Sequence, residues 1–299
     1  MSFLNKLIVN ALPIIPKSVV GQVAKRYIAG ITLPDGVRTV RDLNSKGMMA
    51  TMDLLGEDVK DNGEAIQVKN SILPIFRTIS ENSLDSNMSI KPTQLGLKID
   101  KELCYRNIKE IVTEASRLGN FVRIDMEDAT TTDDTLELYR RLRKEGHDNT
   151  GVVIQAYMRR SESDVRALAK EGANVRLCKG IYNEAPSIAY KGHQEIRDNY
   201  LKLLQMLLEG GSYAGIATHD DFLLDGAVAM LQKLGLQKSQ YEFQMLLGVR
   251  ENRRDQIVRE GHRLRVYVPY GEQWYAYSTR RLKENPRMAW YITKAIFVR

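Results

Sequence analysis

From about residue 47 onward the chain alternates short apolar runs with longer stretches of helical periodicity. Eight apolar runs read as strands, at residues 48–53, 88–91, 121–126, 152–157, 174–178, 213–218, 241–246 and 264–268. Between them the pattern predicts helices, among them residues 101–118, 133–145, 161–170, 184–208, 221–234 and 250–260. Several of these open on a residue suited to capping, Asp100, Asp133, Ser161 or Asp220, and close near Gly119, Gly146, Gly172 or Gly235. Strands alternating with helices make βαβ units and a parallel sheet. Eight such units imply a closed (β/α)8 TIM barrel, an α/β fold that occupies about 250 residues. The pattern therefore assigns residues 46–299 to a barrel domain and residues 1–45 to an N-terminal helical segment. A doubly wound open sheet is the competitor, but it needs fewer strands or a nucleotide fingerprint, and no GxGxxG occurs.

In the N-terminal segment Phe3, Leu4, Leu7, Ile8, Ala11 and Leu12 line one face of a short helix, and no acidic residue precedes Asp35. Arg26 is the only arginine before Asp35, and the long apolar region and cleavage site of a secretory signal are missing. The segment reads as ordinary helices that pack on the barrel or precede it.

Composition narrows the classes. With 299 residues and 43% hydrophobic content the chain can bury a sizeable core, and no apolar run is long enough to span a bilayer. Cys104 and Cys178 are far apart and form neither a metal nor a disulfide pattern, which fits a reducing compartment. His147, His193, His219 and His262 lack ligand spacing, so no metal is expected. The net charge of +7 permits attraction to anionic lipid, nucleic acid or an acidic substrate. Much of it lies in residues 250–265, interleaved with acids and without stacking aromatics, which argues against nucleic acid.

Barrel enzymes place their chemistry at the C-terminal ends of the strands. Here those ends carry Asp53, Lys91, Asp125, Gln155, Arg176 with Lys179, Thr218 with His219, and Tyr267. Taken singly, each is a loop or cap residue; as a set around one mouth they make a cationic site with a few acids. Beyond the last strand, Tyr277, Arg280, Arg281 and Glu284 have the spacing i, i+3, i+4, i+7 and share one helical face. In isolation that is a solvated face with an ion pair. At a barrel mouth it suits a small carboxylate, which the planar arginine fork grips in bidentate fashion. Three classes stay open on these residues alone: an enzyme acting on a small carboxylate, a Schiff-base lyase using Lys91 or Lys179 as its amine, and a non-catalytic basic barrel that binds an anionic surface or nucleic acid.

The segments Met49-Ala50-Thr51-Met52-Asp53-Leu54-Leu55-Gly56-Glu57, Ser89-Ile90-Lys91, Arg123-Ile124-Asp125-Met126-Glu127, Val153-Ile154-Gln155-Ala156-Tyr157, Val175-Arg176-Leu177-Cys178-Lys179-Gly180-Ile181-Tyr182, Ala217-Thr218-His219, Glu242-Phe243-Gln244-Met245-Leu246 and Tyr267-Val268-Pro269 occur in this order. With the closing YxxRRxxE helix, the chain resembles the proline dehydrogenase family over nearly its whole length after about residue 40. The resemblance implies a distorted (β/α)8 barrel with FAD over the C-terminal strand ends. It implies oxidation of L-proline to Δ1-pyrroline-5-carboxylate by hydride transfer to flavin N5, the first step of proline catabolism to glutamate. It further implies a membrane quinone as electron acceptor, with the enzyme cytoplasmic or peripheral on the inner face of the cell membrane. The size resembles the monofunctional bacterial type, without room for an aldehyde dehydrogenase domain.

By the same resemblance Lys91, Arg280 and Arg281 hold the substrate carboxylate, Glu284 pairs with the arginine face, and Leu246 and Tyr267 pack on the ring. Asp125 lies at the back of the site, ordering Lys91, Tyr267 or the arginines. Arg176 sits near flavin N5, and Met126, Gln155, Lys179, Gly180, Ile181, Thr218 and His219 match flavin contacts. Asn183 departs from relatives that carry an aromatic there, which removes one stacking contact from the expectation. Tyr267 goes in the family with preference for proline over hydroxyproline.

Overall fold

In the computed structural model of the chain, residues 17–284 are described, apart from Glu57 and the side chains of Val19, Val23 and residues 280–284. The apolar face expected from Phe3 to Leu12 lies outside them. Eight parallel strands close into one barrel in sequence order: β1 (Met49–Leu54), β2 (Ser86–Ile90), β3 (Val122–Ile124), β4 (Thr150–Gln155), β5 (Val175–Cys178), β6 (Ala214–Ala217), β7 (Tyr241–Leu246) and β8 (Leu264–Tyr270). The helices are α1 (Lys17–Ala24) and α2 (Leu33–Ser45) before the barrel. Then come α3 (Asn62–Glu81), α4 (Lys101–Arg117), α5 (Thr132–Lys144), α6 (Ser161–Lys170), α7 (His193–Glu209), α8 (Asp221–Lys233) and α9 (Glu251–Arg259) between strands, and α10 (Trp274–Glu284) after β8.

The eight expected strands are all present, with shifted ends. The helix α3 is hard to read from the sequence, because Pro74 lies inside it and an internal proline reads as a break. The expected helix at residues 184–208 starts instead at His193, since Pro186 biases its predecessor away from helix. Asp100 caps α4 by accepting from the Leu103 amide at 3.0 Å. Asp133 lies within the first turn of α5, whose cap is Thr131.

Alternation along the strands divides two environments. Ala50, Met52, Met88, Ile90, Val122, Ile124, Val152, Ile154, Val175, Leu177, Phe243 and Val266 point outward into one apolar layer shared with the helices. Their neighbours point into the barrel, and many are polar. Hydrogen bonds between strands that are not adjacent prove this direction, because they can only cross the interior: Arg176 on β5 reaches Ser89 on β2 at 3.0 Å, and Tyr267 on β8 reaches Asp125 beyond β3 at 3.3 Å. Thr51 donates to Asn87 at 2.6 Å, and Arg265 to Glu242 at 2.7 Å. Barrels of this class usually fill the interior with layers of branched apolar side chains; this one fills it with a polar network.

Two glycines make room for that network. Gly151 on β4 lies between Arg123 on β3 and β5, and a Cβ there would stand 2.4 Å from the Arg123 guanidinium and 2.5 Å from the Asn174 carbonyl. Through this gap Arg123 donates to the carbonyls of Val152 at 3.0 Å and Asn174 at 2.7 Å. Gly215 on β6 lies between Arg176 and Glu242 in register, and a Cβ there would meet the Gln244 amide at 2.6 Å.

The barrel is distorted at its seam. The helix that packs against β8 and β1 is α2, which precedes the barrel. It approaches closely at Gly36, where a Cβ would come within 2.7 Å of Met52. The segment leading into α2 is tied to the end of β8: Ala29 donates to Pro269 at 2.9 Å, and Gly271 donates to Gly30 at 3.1 Å. With that flank taken, α10 packs on α1, and Val20, Ala24, Tyr27, Ile28, Leu55 and Tyr277 form a separate apolar cluster. Because Leu55 directly succeeds β1, this cluster sits at the C-terminal end of the barrel.

Gly151→Ala is expected to lower stability by at least the ~1–3 kcal/mol typical of overpacking. The new methyl meets backbone as well as the Arg123 guanidinium, so neither side can yield cheaply. Urea unfolding of the two proteins reads this as a lower midpoint; equal midpoints would show that the interior relaxes around the methyl without cost.

Candidate active site

The residues expected at the mouth fall into three connected groups. The innermost is built around Arg176. Its Nε donates to Gln244 Oε1 at 2.6 Å, and one terminal nitrogen donates to Ser89 at 3.0 Å and to Asp125 at 2.9 Å. Among the described residues its other terminal nitrogen takes no partner, so that edge of the fork is available to a ligand. Tyr267 donates to the second oxygen of Asp125, and its ring lies 5.3 Å from the Arg176 guanidinium. Burial, and then the Asp125 charge, hold the Tyr267 phenol well above its ordinary pKa, so it stays a neutral donor. Asp125 is thus occupied by Arg176 and Tyr267 together and orders both.

Lys91, immediately after β2, pairs with Asp53 at 2.6 Å. Burial opposes its charge, but Asp53 and Asp125 outweigh that and hold the ammonium above its usual range. Deeper in the barrel, burial and the neighbouring Arg176 pull the Arg123 guanidinium down to about 9, still charged at neutral pH. The interior therefore concentrates positive charge, and Asp53, Asp125 and Glu242 are each paired with a cation, Asp53 through one oxygen only.

The second group lies across β3 to β5. The Gln155 amide is anchored at both ends: it donates to the Glu127 carbonyl at 2.7 Å and accepts from the Ile181 amide at 3.1 Å. That holds the loop carrying Lys179, Gly180 and Ile181. Gly180 has φ +111°, and a Cβ on it would run into the Tyr157 ring at 2.0 Å. Met126 packs with Val153, Tyr157, Met158 and Ala189 in an apolar cluster beneath this loop.

The third group lies at the β5–β7 rim. Asp220 accepts from Arg197 at 2.9 and 2.7 Å and from Lys179 at 3.1 Å. The Arg197 hydrogen bonds hold its carboxyl far below the usual carboxylate range. Thr218 accepts from the Asp220 amide at 3.2 Å. His219 Nε2 accepts from the Leu246 amide at 2.8 Å, which puts the proton of a neutral ring on Nδ1.

Strand boundaries correct the expectation that the polar residues end the strands. Lys91 and Asp125 come just after theirs, and Gln155 ends β4, but Arg176 lies one residue into β5 and Tyr267 well inside β8. They occupy the barrel interior and not its rim. The helix α10 contains Arg280, Arg281 and Glu284 in its last turns, and Tyr277 is buried in the cluster on α1. The side chains of Arg280, Arg281 and Glu284 lie outside the described residues. The sequence placed Asp53 at the mouth without a partner, and it marked no role for Ser89, Glu242, Gln244, Arg197 or the Asp220 carboxylate. The alternation Tyr241-Glu242-Phe243-Gln244-Met245 was the available signal for the β7 pair, since a polar residue every second position in a buried strand must face a polar interior.

Comparison with known proteins identifies the family of the chain. Residues 36–291 match the family model described as Proline dehydrogenase. Proline dehydrogenase 1 of Bacillus subtilis (strain 168) is 37% identical over 273 residues, covering 91% of this chain and 90% of its own. Proline dehydrogenase of Deinococcus radiodurans is 33% identical over 277 residues, covering 91% and 89%. Among solved structures, proline utilization A (PutA) from Bdellovibrio bacteriovorus inactivated by N-propargylglycine superposes with a TM-score of 0.83 at 27% identity. It covers 93% of this chain, which spans 34% of that longer one.

The rim cluster carries a pH signature. The depressed Asp220 pKa means that its stabilisation is complete above the unfolded value of about 3.9 and is lost as pH falls below it. Asp220→Asn should therefore lower the melting temperature by an amount that is the same at pH 7 and pH 5 and smaller at pH 3. A gap that stayed constant to pH 3 would show that the Arg197 and Lys179 contacts contribute nothing through charge.

Proposed function

Because the chain belongs to the proline dehydrogenase family, a family of oxidoreductases, we propose that it oxidises L-proline to Δ1-pyrroline-5-carboxylate with FAD as first electron acceptor. The observation that carries this reading is the Arg176 guanidinium, buried beside Tyr267, with three of its hydrogen bonds committed to Gln244, Ser89 and Asp125 and one edge left over.

The residues present fit a flavin. The Gly180 turn admits only glycine, and Gln155 locks the adjoining loop from below. Met126, Gln155, Arg176, Lys179, Gly180, Ile181, Thr218 and His219 would hold FAD, with Arg197 adding positive charge beside Lys179. When bound, FAD would supply a hydride acceptor at N5 for the proline C5 hydrogen; the lone pair of the neutral amine would form the C=N bond as the hydride leaves, giving the protonated imine, whose proton goes to water. Arg176 contributes a fixed positive charge in a dry interior, where such charge is far more effective than in water. Lys91, held protonated by Asp53, presents an ammonium to the substrate carboxylate. The pair Arg280 and Arg281 would grip the same carboxylate from α10, with Glu284 holding the fork, so that C5 points away from the clamp. Leu246 and Tyr267 would enclose the ring, and Asp125 holds Tyr267 and Arg176 in place.

The Schiff-base alternative requires Lys91 or Lys179 as a neutral amine; the surroundings of Lys91 favour the charged state, and Lys179 is paired with Asp220 at 3.1 Å. For the electron acceptor we assign a membrane quinone, reached by peripheral attachment of a basic protein at the inner face of the cell membrane. No described helix is long and apolar enough to cross a membrane.

The purified protein should be yellow and release its flavin on denaturation; a colourless protein that cannot be reconstituted removes the flavin from the scheme, and a lysine adduct trapped by borohydride would replace it with the lyase. Hydrogen bonds to charged groups contribute ~1.5–3 kcal/mol each, so Arg280→Met or Arg281→Met should lower kcat/KM for proline roughly 10- to 150-fold. Arg→Lys should recover only part. Pyrrolidine, which lacks the carboxylate, should be a poor substrate and nearly indifferent to these changes; if it were oxidised as well as proline, the arginines would be a solvated helix face.

A further inference from the structure

The Arg176 side chain is not held by its acid partner alone. On its far side a chain of hydrogen bonds runs down the barrel interior. Gln244 Nε2 donates to Glu242 Oε1 at 2.6 Å, and the same oxygen accepts from Arg265 Nε at 2.7 Å. Arg265 donates in turn to the Ala50 carbonyl at 2.7 Å, and the second Glu242 oxygen accepts from Tyr213 at 2.8 Å. Glu242 and Gln244 are both buried, so water does not substitute for these partners.

The polarity of this chain is determined. Arg176 Nε–H can only donate and the Glu242 carboxylate can only accept. A flipped Gln244 amide would set its NH2 against the Arg176 N–H and its oxygen against the carboxylate. One orientation of the amide satisfies both neighbours, and the Glu242 charge further polarises it toward Arg176. With Nε held by Gln244 and one terminal nitrogen by Ser89 and Asp125, the guanidinium plane is fixed and only its other terminal nitrogen is left over. The path from β7 to β5 crosses β6 at Gly215, where a Cβ would stand 2.6 Å from Gln244 Nε2 and 3.1 Å from its Cδ. The absent side chain at that position is a second observation, independent of the hydrogen bonds, that the crossing is built in.

We propose that Gln244, oriented by the Glu242–Arg265 pair, is a positioning residue that sets which edge of Arg176 meets the flavin and thereby tunes its reduction. The inference rests on the role given to Arg176 above. It assigns Gln244 no contact with substrate, so proline binding is left nearly unchanged while the rate and energetics of flavin reduction move.

The test is a mutant cycle read by stopped-flow reduction of the flavin by proline and by the flavin midpoint potential, on variants that retain flavin and melt cooperatively. Gln244→Leu is expected to slow flavin reduction roughly 10- to 100-fold, as for loss of one hydrogen bond to a charged group. The proline dissociation constant should stay within about twofold, and the potential should fall by about 30 mV per tenfold change in the two-electron equilibrium. Gly215→Ala, which touches neither Asp125 nor Ser89, should shift both readouts in the same direction. In the Arg176→Ala background Gln244→Leu should add almost nothing, because its effect passes through the missing side chain.

Gln244→Glu guards against simple misfolding. Protonated, the new carboxyl accepts from Arg176 and donates to Glu242 just as the amide does; ionised, it repels Glu242 and neutralises Arg176. The variant should therefore approach wild-type rates at low pH and lose ground as pH rises, with Arg176, Arg265, Glu242, Tyr213, Asp125 and Arg123 as the charged and titratable groups around it, whereas Gln244→Leu should lag by a constant factor. Equal losses from Gln244→Leu with and without Arg176, or a normal potential in Gln244→Leu, would overturn the relay. A normal reduction rate in Arg176→Ala alone would instead overturn the role of Arg176, and the relay with it.

Discussion

A single buried guanidinium ties the barrel to its site. Arg176 bonds at once to β2, to the end of β3 and to β7, and through Asp125 to Tyr267 on β8. Burying ions is costly, and a well-packed apolar interior is often the more stable choice. A barrel that instead fills its interior with Arg123, Arg176, Arg265, Glu242 and Asp53 uses that interior to hold charge in fixed directions. The geometry of the mouth is a consequence. Lys91 stays charged because Asp53 is beside it, and both oxygens of Asp125 accept hydrogen bonds, one from Arg176 and one from Tyr267.

Such a network needs space as much as partners. Long side chains reach sideways past intervening strands only where those strands offer no side chain, and Gly151 and Gly215 are the two gaps used by Arg123 and Gln244. Stability comes from elsewhere: the continuous apolar layer between strands and helices.

The seam explains how the last helix reaches the mouth. The helix α2 takes the flank between β8 and β1 that a regular barrel gives to its final helix, and the Ala29–Pro269 and Gly271–Gly30 hydrogen bonds lock that exchange. The final helix α10 is released to pack on α1 at the C-terminal end, with Tyr277 as its anchor. The position of α10 puts its backbone at the C-terminal end of the barrel, where the proposed carboxylate clamp requires it.

The amino-acid sequence by itself determined the repeating architecture. The change of period from apolar runs to helical stretches marks eight βα units, because burial of a strand and of a helix face leaves local, repeating signs such as Val152–Ile154 and the Asp100 cap. The residues lining the mouth were legible too, since a barrel mouth draws on the C-terminal end of each strand, and Lys91, Asp125 and Gln155 stand there. What the tertiary structure alone decided is who meets whom. Ser89 and Arg176 are 87 residues apart, and Asp125 and Tyr267 are 142 apart; closure of the sheet brings them together, and no local pattern records the curvature that does so. For the same reason Gln244 and Glu242 looked like ordinary strand positions, Asp53 showed no sign of its pairing with Lys91, and Gly151 and Gly215 looked like ordinary glycines. A side chain's direction is set within its own strand, but its partner is set by the strands across the barrel.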